Sequence, residues 1–393
     1  MPGKITKPSW SELFFDLAMV GAFLSFGSDF GQEKTWGSGI ELALKLMLII
    51  WAWEQVTLFV NRFGDPFATE ESGDRTVMGI RFAALLVLIS VIVVSVVETG
   101  YGQGFTSPDD DLSWAAAGTV ATVALLYELG ARWRPELRRL STRRRNAALL
   151  AAIFFLASAP LTMGWSVAAW VAGLLVVLTA TLGPSLGETL RAFPINREHF
   201  SERLGLFVLI LIGEVFVKNV VTSHTVEEST TDILQLGFVA VICWMVWTIY
   251  EYEALAAGLP AGPGSLRIWT FAHYFLALTL IVTSVGLVWY VTPDYTSPPG
   301  DWIAMIAAGG TGLAIASIAV VRRAAGGPDA VASSLRILVI AAVAIVIGLL
   351  AWLATPSDWR VGVGALAISL VVLNHWRSRA TARSIERRGG ASS

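Results

Sequence analysis

The chain reads as a succession of apolar runs, each about 20 residues long, separated by short polar connections. A run of that length crosses a bilayer as one helix, which satisfies every backbone N–H and C=O within itself. Twelve such runs can be laid out: 10–30, 38–61, 76–98, 112–131, 146–164, 166–186, 201–221, 232–254, 268–291, 302–321, 335–354 and 359–376. A composition of 55% hydrophobic and 15% charged residues, with mean hydropathy +0.64, is too apolar for a soluble domain of 393 residues. The expected fold is all-α, a polytopic transmembrane helical bundle of about twelve spans.

A net charge of −2 says nothing about partners here, because charges in such a chain are sorted by side. The one cysteine, Cys243, lies in an apolar run and excludes an internal disulfide. Lys4 and Lys7 precede an apolar run, as in a signal peptide. Glu12 and Asp16 interrupt that core, however, and no small-x-small cleavage site follows, so the first run is expected to stay as a helix.

The basic residues orient the spans. Lys4 and Lys7, Arg62 and Arg75, seven arginines from Arg132 to Arg145, Arg191 with Arg197 and Arg203, Arg267, Arg322 with Arg323 and Arg336, and five arginines from Arg377 to Arg388 all fall on alternate connections. The opposite connections hold Lys34 and Arg360 and otherwise read acidic or neutral. By the positive-inside rule both termini are expected in the cytoplasm. An offset of 192 relates Arg75 and Arg81 to Arg267 and His273, and Gly118-Thr119 to Gly310-Thr311. It suggests two six-helix parallel repeats, 1–190 and 191–377, followed by a cytoplasmic basic tail at 378–393.

Several stretches carry a resemblance. SELFFDLAMVGAF (11–23), TLFVNRF ending at Phe63, and HFSERLGLFVLILIGE (199–214) resemble the bacterial low-temperature-requirement A (LtrA) family. That family's patterns fall here on Glu12, Asp16, Asn61, Arg62, His199, Glu202, Arg203, Gly213, Glu214 and His273. GDPFATEESGD stands where the family has an Asp-Thr-Asp-Asp run, Phe271 replaces a tyrosine, and either Glu251 or Glu253 takes the place of a family aspartate. The resemblance implies a bacterial cytoplasmic membrane protein with many spans and no particular reaction, so the chemistry is read from the residues.

On this topology Glu12, Asp16, Arg81, Glu202, Arg203 and His273 occupy first turns of odd-numbered spans, and Glu54, Asn61, Glu128, Glu251 and Glu253 last turns of even-numbered ones. All gather towards the cytoplasmic third. Ionisable groups inside a bilayer are costly, which makes them functional candidates. Asp16, Glu54 and His273 lie deepest and, with Glu214 near the midplane, are the candidate catalytic acids and bases. Glu12, Asn61, Arg62, Arg81, His199, Glu202, Arg203, Glu251 and Glu253 form a candidate substrate-binding mouth, with Trp51 and Trp247 against an apolar or cationic ligand. Structural ion pairs at helix ends are the competing reading, and Glu41 with Lys45 and Glu214 with Lys218 have the i,i+4 spacing for mutual neutralisation.

Asp65, Glu70 and Glu198 are the candidate ligands of a Mg²⁺ ion bridging a diphosphate, since Mg²⁺ is held by a few carboxylates plus substrate phosphates. The spacing Asn61-x3-Asp65-x4-Glu70 is similar to the Asn-x3-Asp-x3-Asp motif of membrane prenyltransferases of quinone synthesis. Four scattered histidines and one cysteine make no zinc or haem set, and there is no nucleotide-binding loop. The arginine-rich connection is explained by orientation and anionic lipid without nucleic acid. Two functions stay open, with a non-catalytic sensor or scaffold as a third. One is an intramembrane enzyme acting on an apolar, isoprenoid-like small molecule by acid/base cyclisation, isomerisation or transfer. The other is a proton-coupled transporter.

Overall fold

The computed structural model of the chain describes residues 9–33, 36–67, 74–97, 111–223, 230–291, 301–353 and 359–389. Among these the secondary structure is entirely helical. The thirteen α-helices are α1 (Trp10–Glu33), α2 (Trp36–Phe63), α3 (Arg75–Val96), α4 (Asp111–Trp133), α5 (Arg138–Ser158), α6 (Met163–Leu182), α7 (Leu186–Ala192), α8 (Arg197–Ser223), α9 (Thr230–Ile249), α10 (Pro263–Val291), α11 (Asp301–Ala325), α12 (Ala330–Leu353) and α13 (Trp359–Gly389). Each expected run coincides with one long helix, and the short α7 is additional. Nine of the helices among the described residues are long and apolar enough to cross a membrane: α2, α3, α4, α6, α8, α9, α10, α11 and α12. α1 carries Glu12 and Asp16, α5 opens on arginines, and α13 continues through the basic stretch expected as a tail. The chain is a multi-pass membrane protein in contact with the lipid bilayer.

Two compact units divide between Ile210 and Leu211, inside α8. In the first, α2 is central, with 89% of its apolar window buried, so it meets protein on every side. This is why it can carry Ser38, Glu41, Lys45, Gln55 and Thr57 as buried polar residues. The Glu41 carboxylate takes the Lys45 ammonium at 2.5 Å, and Lys45 also donates to the Val97 carbonyl, as their spacing suggested. α3 is different. Met78, Phe82, Leu85, Ile89, Ile92 and Val96 recur at helical spacing along one exposed face, which presents an apolar stripe to lipid.

In the second unit α10 is the buried helix, and α11 and α12 follow it as antiparallel neighbours. Small residues allow the close approach: Gly286 of α10 lies directly against the backbone of Ala307 of α11, and Gly310 against Thr283. Gly286→Ala would put a methyl group into that backbone. The expected result is a loss of about 1–3 kcal/mol, seen as a lower melting temperature in detergent. Gly309→Ala meets no atom within 4 Å and should leave melting unchanged. Equal melting of the two variants would contradict this packing. After α9 the chain makes one π-helical segment, Tyr250–Leu255, which buries Glu253 and leaves Glu251 and Tyr252 exposed.

Candidate functional site

The site in the first unit is built from the end of α2 and the start of α8. Asn196 caps α8, its Oδ1 accepting from the His199 backbone N–H at 3.2 Å. Asn61 grips the same residue from α2, donating through Nδ2 to the Asn196 carbonyl (2.9 Å) and accepting the Asn196 N–H on Oδ1 (2.7 Å). Arg62 adds an Nε–H bond to the Phe193 carbonyl at 3.2 Å. The Asn-Arg pair thus fixes where α8 begins. Because His199 and Arg203 are one turn apart, they share the face that meets Glu12 and Asp16, themselves one turn apart on α1.

The contacts form one buried cluster. Arg203 donates from Nη2 to Asp16 Oδ1 at 2.8 Å and places Nε 3.7 Å from Glu12 Oε1. Trp53 Nε1–H donates to the same Asp16 oxygen at 2.7 Å, and Ser9 N–H donates to Glu12 Oε2 at 3.0 Å. Asn61 Nδ2 lies 3.2 Å from His199 Nδ1, which must accept because the amide nitrogen can only donate. His199 Nε2 then carries the hydrogen and faces the Glu12 carboxylate at 3.4 Å. Two carboxylates therefore meet one guanidinium and a neutral imidazole. A buried net charge is costly, so the group favours holding one further proton or a cationic partner.

Beside this cluster runs a groove of about 540 Å³ between α1, α2 and α3, with Arg203 of α8 in its lining. Phe14, Val56, Phe82 and Leu85 supply apolar walls, and Glu12, Asp65 and Arg81 join Arg203 as charged edges. Phe14 and Phe82 are also among the exposed apolar side chains, so the groove is accessible from the lipid side. Among the described residues Arg203 Nη1 and Asp16 Oδ2 are buried without a hydrogen-bond partner, and of these two residues Arg203 lines the groove. A buried donor in that state beside an apolar groove is a candidate contact for a polar ligand group.

Asp16 is fully buried and outside the groove lining, whereas Glu12 lines it. Glu54 is buried on α2 and interacts electrostatically with Arg62 and Tyr127. Trp51 donates to Thr181 Oγ1 at 3.3 Å and is buried in the helix packing. Asp65 is already engaged, accepting from Phe67 N–H (2.8 Å) and Ser11 Oγ–H (3.3 Å), and Arg81 donates to the Pro66 carbonyl. Glu202 is half-buried and Glu198 is exposed on the first turn of α8. Glu70 lies outside the described residues, and no group of three His, Cys, Asp or Glu that could hold a metal occurs among those described.

In the second unit, Glu214 is buried with Lys218 as an electrostatic partner one turn on. His273 is buried and satisfied. Its Nδ1–H donates to the Trp269 carbonyl at 2.8 Å, and Nε2 accepts from the Tyr250 hydroxyl at 3.2 Å. Trp247 is half-buried with its ring centroid 6.0 Å from that of Tyr250. Of the two glutamates that could stand for the family aspartate, Glu253 is the buried one, paired with Arg377 and Arg322, while Glu251 is exposed.

The sequence reading missed Arg144. It was placed in a connection, but α5 begins at Arg138, and Arg144 is buried against Gln55 of α2 and Thr181 of α6. The signal was the helical spacing of Leu140, Ser141, Arg144, Ala148 and Ala151, which extends the buried face of α5 back into the arginine run. Tyr127 completes this polar group, its hydroxyl donating to the Gln55 carbonyl at 3.3 Å.

A family model described as "Bacterial low temperature requirement A protein (LtrA)" matches residues 7–372, a range that holds the whole cluster of Glu12, Asp16, His199 and Arg203 and most of the second unit. The uncharacterized protein RA0937 of Rhizobium meliloti (strain 1021) is 25% identical over 303 residues, covering 72% of this chain and 69% of that protein. No solved structure matches the chain with significance. The chain belongs to the bacterial low temperature requirement A family.

Proposed function

We propose that the protein is an intramembrane enzyme acting on an apolar-tailed, isoprenoid-like substrate in the groove of the first unit. The observation that carries this reading is an apolar, lipid-accessible groove edged by Glu12 and Arg203, which belong to a buried cluster of two carboxylates and one guanidinium. The tail lies along Phe14, Val56, Phe82 and Leu85, and the N–H groups of Arg81 and Arg203 not engaged by protein hold the polar head. Glu12 is the group best placed to exchange a proton with the substrate, and His199, Arg203 and Asp16 position and balance it. Protonation of one alkene carbon leaves a carbocation at its neighbour. A second double bond then closes on that cation, and return of a proton to the carboxylate ends a cyclisation or isomerisation without net oxidation. A diphosphate head would bring Mg²⁺, for which Asp65, the groove's second carboxylate beside Glu12, is the candidate ligand. The test is product formation by purified protein in detergent, compared with Glu12→Gln.

The alternative is a proton-coupled transporter, favoured by the buried Glu214 beside Lys218 and by the proposed six-plus-six repeat. The 192-residue offset pairs α2 with α9 and α3 with α10, yet the deeply buried helices are α2 and α10. That mismatch ranks the enzyme first. Both readings share a topology with cytoplasmic termini and the arginine-rich start of α5 inside. In a chain lacking Cys243, a cysteine at position 109 should react with an impermeant thiol reagent on intact cells and one at position 139 should not. External labelling at 139 would overturn the orientation.

A further inference from the structure

The second unit holds a separate cavity of about 590 Å³ to which the proposed reaction assigns nothing. Its walls come from four elements. The π-helical segment brings Glu253 and Tyr252, α11 brings Arg322 from its last turn, α12 brings Ser333 and Arg336, and α13 brings Arg377 and Ser378; Asp329, just before α12, completes the charged lining.

Three guanidiniums thus face two carboxylates. Glu253 is fully committed, since it takes Arg377 on one oxygen and Arg322 (3.5 Å) with the Ser333 hydroxyl on the other. Arg322 also donates from Nη1 to the Gly326 carbonyl at 2.6 Å, and Arg377 from Nε to Asn374 Oδ1 at 2.9 Å, which hold both side chains in place. Arg336 is different: its Nε is buried and has no hydrogen-bond partner among the described residues. Among the described lining residues the formal balance of three positive and two negative groups leaves one positive charge in a preformed cavity.

The location narrows the ligand. Val331 and Leu335, which flank Ser333 and Arg336 on α12, and Trp376 beside Arg377 on α13 are exposed apolar side chains. In a membrane-spanning unit these are lipid contacts, so the cavity opens where acyl chains meet headgroups. A single surplus positive charge matches a phosphodiester, which carries one negative charge, better than a phosphomonoester, which carries nearly two.

We propose that this cavity is a binding site for the phosphodiester headgroup of an anionic membrane lipid, with Arg336 supplying the unshared donors and Glu253 holding Arg322 and Arg377 in position. The site is independent of the reaction proposed for the first unit.

The experiment uses full-length protein in a neutral detergent, titrated with phosphatidylglycerol and followed both by thermal melting and by native mass spectrometry of bound lipid. Phosphatidylglycerol should raise the melting temperature and appear as a retained adduct. Arg336→Gln should weaken that binding about fivefold or more, whereas Arg323→Gln, which removes an exposed charge outside the cavity, should not. Should Arg336→Gln itself lower the melting temperature, the adduct count still reads binding directly. Inorganic phosphate distinguishes the sources: if it leaves the adduct in place at millimolar concentration the ligand is the lipid, and if it displaces the adduct and itself protects, the ligand is free phosphate and the lipid assignment falls. Equal lipid binding by the Arg336→Gln and unsubstituted proteins, or no selective adduct at all, would overturn the proposal.

Discussion

Replacing Arg203 with leucine is expected to destabilise the protein more than any other single change at the site. The guanidinium is the only permanently positive partner of Asp16 and Glu12 among the described contacts, and all three side chains are nearly inaccessible. Removing one member of a buried ion pair leaves the other charge uncompensated, at a cost of about 3–5 kcal/mol. Melting in detergent should fall accordingly. Adding Asp16→Asn should restore part of the loss, because it removes one of the stranded carboxylates while its amide can still accept from Trp53 Nε1. Arg203→Lys should recover little, since one ammonium cannot reproduce the spread of guanidinium donors between two carboxylates. A loss below about 1 kcal/mol for Arg203→Leu would mean that the pair is solvated in the membrane protein, and the charge argument made for the cluster would fail.

Much of this arrangement was legible in the sequence, and the parts that were not have physical reasons. Glu12 with Asp16 and His199 with Arg203 could be paired because helical spacing places i and i+4 on one face, and the bilayer makes each such group conspicuous. Asn61 and Arg62 could be flagged, but not their task, because they bond the backbone of Asn196 and Phe193, 135 and 131 residues away in the chain, and nothing in the α2 sequence announces that partner. On the sequence Asp16 lies deeper than Glu12 and is the catalytic candidate of the two, with Glu12 at the binding mouth. Only packing shows that the indole of Trp53 holds Asp16 while Glu12 lines the groove. His273 looked like a deep catalytic base, yet the Trp269 carbonyl one turn back and the Tyr250 hydroxyl use both of its nitrogens. The choice between Glu251 and Glu253 rested on a π-helical segment, which shifts the helix phase and which hydrophobic periodicity does not reveal. Arg144 was hidden by its neighbours, because a run of arginines reads as a connection until the small residues behind it show a helix face.

The second large effect concerns chemistry at Glu12. In detergent micelles no gradient exists, so a transporter can bind its substrate there but cannot alter it. Purified protein should convert a linear prenyl alcohol or diphosphate to an isomeric or cyclised product, detected by gas chromatography and mass spectrometry. Glu12→Gln keeps the shape of the side chain and its place in the groove but removes the proton-exchanging carboxyl, so turnover should fall about 10²- to 10⁴-fold while substrate binding is largely kept. Asp65→Ala should matter only for a diphosphate substrate and only in the presence of Mg²⁺. Product formation that depends on Glu12 is the result this account predicts. Recovery of every prenyl substrate unaltered from micelles, with pH-driven uptake of the same compound into proteoliposomes, would contradict it.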